Sequence, residues 1–415
     1  MTATTVWADP PAGRRLVVCL DGTWNSTANV HERETGDKVL RPTNTLKICR
    51  AVKPIADRPQ IAYYDIGVGS LTRYPGTANK ILYRADKMLG GAWGAGFEGN
   101  VEDALHFIVL NYEPGDEVFL FGFSRGAATA RAVTRFLEWS GGLPSKRDAY
   151  YVPLFFRHYV EQRGNPEAFE RFREEINRKR ETNRDSRNRY PIEFRPIVVR
   201  YLGVWDTVAS LGSRFAARGA TTSPAGRTFH IGKAPAPCVK HARQALAIDE
   251  KRFDFRPEVW TEQRPEVPEQ IVLQRWFPGV HSNIGGGLET DGLANLALHW
   301  ILEGAKDEKL QVDEDFIAFY EGHPEAKMYE SWTLKYKILE GIRLRAGKGK
   351  RPITGINADL DESVVKKMQI DASYRPDSVL QFLACRSDLT PYGDIPADAR
   401  QRIASLKTNC PNQSR

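Results

Sequence analysis

The sequence predicts an α/β fold, a mostly parallel central sheet flanked by helices. Two observations carry that expectation. Through the first three hundred residues, short β-branched and aromatic runs alternate with longer amphipathic stretches, the order produced by strands joined through crossover helices. Several of the short runs are also almost continuously apolar, as parallel strands buried on both faces must be. The predicted strands are Arg15–Leu20, Gln60–Asp65, Glu117–Phe123, residues 196–205 and Ile271–Phe277; helices are predicted near 43–52, 97–112, 125–139, 239–248 and 293–305.

Two regions depart from the alternation. Residues 167–190 are dense in Arg, Glu and Asn, and lie between a predicted helix and the next strand. They read as part of a cap-like insertion over about residues 150–192, with a solvated, salt-bridged helix as the simplest form. Beyond about residue 310 the chain is mixed, with aromatic-rich stretches and a basic run at 343–351. The expected organisation is a flexible N-terminus over 1–14, a catalytic domain over 15–306, and a mainly helical extension over 307–415 packed on it.

Bulk properties narrow the class. Over 415 residues, 41% hydrophobic and 27% charged residues make an ordinary globular balance, which excludes a wholly disordered or fibrous chain. No apolar run approaches the roughly 20 residues that span a bilayer. The N-terminus has neither the basic start nor the apolar stretch of a secretory signal. A cytoplasmic location is therefore expected, although signal-independent export would leave no such trace. The five cysteines lack close paired spacing, so reduced thiols are expected, with neither a disulfide framework nor a zinc site. The net charge of +7 mildly favours an anionic membrane surface as a peripheral contact, but 59 basic residues interleave with 52 acidic ones and no nucleic-acid reading motif is present.

The chemistry concentrates at Gly122-Phe-Ser-Arg-Gly126. Such a pentapeptide is common; its context here is a strand before it and a strong helix former after it, the strand, sharp turn and helix of a nucleophile elbow. Ser124 is the candidate nucleophile of an α/β-hydrolase-type fold. A serine hydroxyl needs a base to take its proton and an acid to orient that base, in the chain order Ser, Asp or Glu, His. Asp206 follows an apolar strand, where ligands collect in open α/β sheets. Of the eight histidines only His281 stands in a Gly-rich loop directly after a predicted strand. Oxyanion donors are expected from the Arg125 N–H and from Gly22 or Thr23 in the Asp21-Gly22-Thr23 turn after the first strand; the alternative for that turn is a purely structural role. Asp-Gly-Thr also occurs in haloacid-dehalogenase-like phosphohydrolases, but their nucleophilic aspartate is Cys19 here. The glycine clusters at 67–69 and 90–96 lack the ending of a P-loop and read as loops flanking the site. No metal or cofactor is implied.

Segments 16–25, 64–69, 114–127, 202–208, 245–250 and 277–286 together resemble the α/β-hydrolase family of type VI secretion phospholipase effectors, long catalogued as a domain of unknown function. The resemblance implies a serine hydrolase cleaving carboxylic esters of phospholipids or other lipids through an acyl-enzyme, with Ser124, Asp206 and His281 at the triad positions. A small-molecule esterase and a non-catalytic binding protein are the alternatives. The family more often has an acidic residue where this chain has Asn283, and its effectors tend to carry a larger membrane-engaging module after the catalytic domain. An immunity protein or secretion partner is not legible in the sequence.

Overall fold

The computed structural model describes residues 13–22, 30–32, 38–67, 93–182, 190–208, 231–252, 255–331 and 351–410. Seven strands form its central sheet: β1 (Arg15–Leu20), β2 (Gln60–Asp65), β3 (Glu117–Phe123), β4 (Val199–Trp205), β5 (Val239–Ala247), β6 (Ile271–Phe277) and β7 (Ala358–Leu360). Their order is β2-β1-β3-β4-β5-β6-β7, and every pairing between neighbours is parallel. From β1 the chain moves outward to β2, then returns to the other side of β1 and runs through the remaining strands. The order therefore reverses between β1 and β3, which makes the carboxyl ends of these strands a topological switch point, the place where ligands bind in open α/β sheets. Register aligns those ends, with Leu20 beside Gly122, Phe123 beside Trp205, and Ala247 beside Phe277.

The period of two along each strand sends alternate side chains into different cores. Val18, Leu20, Val118 and Leu120 pack with helices α1 (Trp93–Asn111) and α2 (Arg125–Ser140) on one face. Val17, Cys19, Phe119 and Phe121 pack on the other face with α3 (Gly292–Asp307) and with the helix Asn44–Ala51. A third cluster joins Leu246 and Trp276 to Leu360 and to the C-terminal helices Glu362–Ile370, Asp377–Ala384 and Ala397–Leu406. The extension is thus mainly helical, and it also supplies the edge strand β7. The inserted helices Val152–Glu161 and Pro166–Thr182 build an aromatic cluster on Phe136 and Trp139, near the end of α2 remote from Ser124.

Two expectations are corrected. Of residues 239–248, Val239–Ala247 form the interior strand β5, not a helix. The segment Val-Lys-His-Ala-Arg-Gln-Ala-Leu-Ala consists of good helix formers with apolar residues at helical spacing, but burial on both faces overrides that preference. Its polar side chains are satisfied there: Arg243 reaches the Trp300 carbonyl, Glu303 and Asp307, and Gln244 donates to Gln274. The thiols are likewise not all reduced, because Cys385 and Cys410 form a disulfide. Cys385 ends helix Asp377–Ala384 and Cys410 follows helix Ala397–Leu406, 25 positions on, a pairing that spacing alone does not reveal. No helix among the described residues is long and apolar enough to cross a membrane.

Candidate active site

Ser124 occupies the single residue between β3 and α2, with φ +58° and ψ −117°, a region that a side chain other than glycine rarely adopts. The strained backbone is fixed from both sides: the Ser124 N–H donates to the Trp205 carbonyl at 2.9 Å, and its carbonyl accepts from Val208 N–H at 3.3 Å. The flanking glycines serve close approach. A Cβ on Gly122 would lie 2.4 Å from the Gly126 carbonyl oxygen, and one on Gly126 would lie 2.1 Å from the Leu20 carbonyl oxygen. The two glycines of the pentapeptide thus let α2 close against β3 and β1, while the serine carries the strain.

Asp206 follows β4 directly, with φ +41°, and its N–H donates to the Ala245 carbonyl at 2.7 Å. Its carboxylate Oδ2 lies 2.6 Å from His281 Nδ1, and His281 Nε2 lies 2.8 Å from Ser124 Oγ. A carboxylate only accepts, so Nδ1 carries the imidazole proton and Nε2 is left to accept from the serine hydroxyl. His281 opens a short helix, His281–Gly285, rather than standing in a loop as the sequence suggested. The rings of Phe123 and Phe255 flank the imidazole at centroid distances of 4.7 and 4.9 Å. Gly285 makes room for Phe123, since a Cβ there would lie 2.0 Å from that ring. Ser124, Asp206 and His281 are all buried.

Burial pulls the His281 pKa below its usual 6.5, and the Asp206 carboxylate only partly restores it. Burial would raise Asp206, but the Arg351 guanidinium and the histidine overcome it and hold the carboxyl at about 2. Arg351 Nη1 lies 2.7 Å from Oδ1 and Nη2 3.1 Å from Oδ2. Behind the histidine, Glu250 accepts the His281 N–H at 3.2 Å and is paired through both oxygens with Arg252. Burial is the largest influence on Glu250 too, and Arg252 outweighs it to bring the carboxyl down to about 2. Asp249 accepts from Gly279 N–H and Tyr374 hydroxyl at 2.7 and 2.9 Å, and burial lifts it to about 6.

Asp21 is buried at the end of β1. Its Oδ2 accepts from the Thr43 and Tyr64 hydroxyls at 2.5 and 2.6 Å, and its Oδ1 from the Gly22 N–H at 2.6 Å. The glycine N–H that the sequence offered as an oxyanion donor is therefore directed to the Asp21 carboxylate, and Thr23 lies outside the described residues. The Arg125 N–H opens helix α2, beside Ser124. Among the described residues, no three His, Cys, Asp or Glu side chains gather as a metal would require.

Sequence reasoning missed Arg351, Glu250, Arg252 and Tyr374. Arg351 ends a basic run that reads as surface charge, and nothing local marks it as buried. Asn283 is buried as well: Oδ1 accepts from the Val280 and Tyr329 N–H groups, and Nδ2 donates to the Lys327 carbonyl. It uses donor and acceptor together to tie the helix His281–Gly285 to residues 327–329, which a carboxylate in its place would not do.

A parallel α/β sheet with a serine at a strained strand-to-helix turn, hydrogen-bonded through a histidine to a strand-end aspartate, is the architecture of an α/β-hydrolase. The chain belongs to the family described as "T6SS, Phospholipase effector Tle1-like, catalytic domain", whose model matches residues 14–304. It is 24% identical over 276 residues to the uncharacterized protein YEL023C of Saccharomyces cerevisiae, a match covering 63% of this chain and 35% of the yeast protein. A crystal structure of an uncharacterized protein from Pseudomonas aeruginosa aligns over 97% of this chain and 60% of its own, at 14% identity and a TM-score of 0.40. The Tle1 effector bound to the VgrG spike of the type 6 secretion system aligns over 85% of both chains, at 15% identity and a TM-score of 0.40.

Proposed function

We propose that the chain is a serine hydrolase that cleaves carboxylic esters of phospholipids. One observation supports the chemistry above all: the unbroken line of contacts from Ser124 Oγ through His281 to Asp206 at the mouth of a topological switch point. The family supports the lipid substrate. In this mechanism His281 Nε2 takes the serine proton as Oγ attacks the ester carbonyl, and Asp206 holds the imidazolium that forms. The Arg125 N–H, at the start of α2 beside Ser124, receives the oxyanion. His281 then gives its proton to the leaving alcohol, and a water activated by the same imidazole releases the acyl group from Ser124.

Mixed phospholipid vesicles incubated with the protein should yield free fatty acid and lysophospholipid by mass spectrometry. Cleavage of short-chain aryl esters alone would sink the phospholipid assignment and leave a small-molecule esterase. Turnover of neither would count against hydrolysis and favour a binding protein.

The histidine also sets the pH dependence. The imidazole must be neutral to accept the serine proton, so activity falls as pH drops through its pKa. That pKa is depressed below 6.5 by burial. The acid limb of kcat/KM on a soluble ester should therefore have its midpoint below pH 6.5, and a midpoint above it would contradict the role given to His281.

A further inference from the structure

We propose that Arg351 is a positioning residue for Asp206, so that the hydrolytic site is completed by chain lying beyond the segment the family model matches. The inference rests on the hydrolase reading above. Each Asp206 oxygen accepts two hydrogen bonds: Oδ1 from Ala247 N–H at 3.0 Å and Arg351 Nη1 at 2.7 Å, Oδ2 from His281 Nδ1 at 2.6 Å and Arg351 Nη2 at 3.1 Å. The two guanidinium contacts form a fork on the carboxylate. Without them each oxygen keeps a single donor, so the torsion about the Cβ–Cγ bond, and with it the imidazole, is held less firmly.

The fork is itself anchored. Arg351 Nη1 donates to the Ala247 carbonyl at 2.9 Å and Nη2 to the Phe255 carbonyl, which fixes the guanidinium to the end of β5 and to the residue whose ring packs on His281. Its Nε is buried with no hydrogen-bond partner among the described residues. A buried arginine with an unmatched N–H is a poor way to fill space, since well-packed apolar side chains are often at least as stabilising as a buried ion pair. Its placement on both oxygens of the proposed orienting acid is what distinguishes it.

The pairing also bears on the base. His281 faces Asp206 and Ser124 through its two nitrogens and the Phe123 and Phe255 rings on its sides; Glu250 accepts its backbone N–H, and Arg252 pairs with Glu250 and stacks on Phe255. The negative charge of Asp206 raises the basicity of the imidazole, and the positive charge of Arg351 offsets it. Arg351 thus keeps the histidine neutral to lower pH while holding its proton on Nδ1.

The test compares the wild type with Arg351→Met and Arg351→Lys in the full chain. It follows kcat/KM on p-nitrophenyl butyrate and the rate of fluorophosphonate labelling across pH, with folding checked by circular dichroism. The Met variant should lose up to about 100-fold in kcat/KM through misplacement of the base. Its acid limb should move to higher pH, and added guanidinium should restore part of the rate. The Lys variant, which keeps the charge but not the fork, should lose rate with a smaller shift of the limb; if the Met variant does not fold, the Lys variant with guanidinium rescue decides. Lost rate with an unmoved acid limb and no rescue would overturn the proposal in favour of a purely structural arginine, as would rates within twofold of the wild type. A wild type that neither labels nor turns over the ester would instead remove the hydrolase reading itself.

Discussion

Replacing Ser124 with alanine is expected to lower ester hydrolysis by about 10⁶-fold and to abolish labelling by a fluorophosphonate probe. The size of the effect follows from the geometry. His281 Nε2 is directed at one hydroxyl, 2.8 Å away, and without it the base has no proton to take and the site no atom to carry the acyl group. The fold should not notice. The strain at φ +58° belongs to the backbone and is the same for serine and alanine, and the hydroxyl's contact is with the histidine. The melting temperature should stay close to that of the wild type while activity vanishes. Persistent labelling in the alanine variant would refute the nucleophile assignment outright.

Asp206→Asn should fail in two separable ways. The amide presents an NH₂ or a neutral oxygen to His281 Nδ1, weakening or inverting the tautomer that leaves Nε2 free, and a loss of about 10⁴ in kcat is expected. The same change strips from the Arg351 fork the only side-chain carboxylate it meets among the described residues. Removing one partner of a buried ion pair costs about 3–5 kcal/mol, because the remaining charge stays buried without compensation. Asp206→Asn should therefore melt well below the wild type, and Asp206→Asn combined with Arg351→Met should recover much of the stability but none of the activity. Thermal melts and steady-state rates on the two variants read both effects. An Asp206→Asn protein as stable as the wild type would mean that the pair contributes little to the fold.

Much of this arrangement was legible in the sequence because it rests on local chemistry. All five expected strands are present, four of them with the expected bounds, the elbow lies where the Gly-x-Ser-x-Gly context puts it, and Asp206 and His281 stand out by their positions after strands. What was not legible depends on distant partners. The polar residues of β5 fit a strand only because helix α3 and the end of β4 supply acceptors and donors for Arg243 and Gln244. Arg351 looks like its basic neighbours until the ends of β4 and β5 are brought to it. The turn at Asp21 read as an oxyanion loop from its glycine, yet the hydroxyls of Thr43 and Tyr64 and the Gly22 N–H gather on its carboxylate, a convergence of three separate segments.

The edge strand β7 has a consequence for how the chain reaches its folded state. β6 and β7 are neighbours in space, yet residues 278–357 lie between them, so the last pairing of the sheet is a long-range contact whose loop must close before it returns any stabilisation. During synthesis the sheet through β6 is complete in sequence while its outer edge, including Trp276, still waits for residues that have not emerged. An uncovered parallel edge is a template for pairing with another chain. Until β7 and the three C-terminal helices dock, the β6 edge of the sheet is such a template.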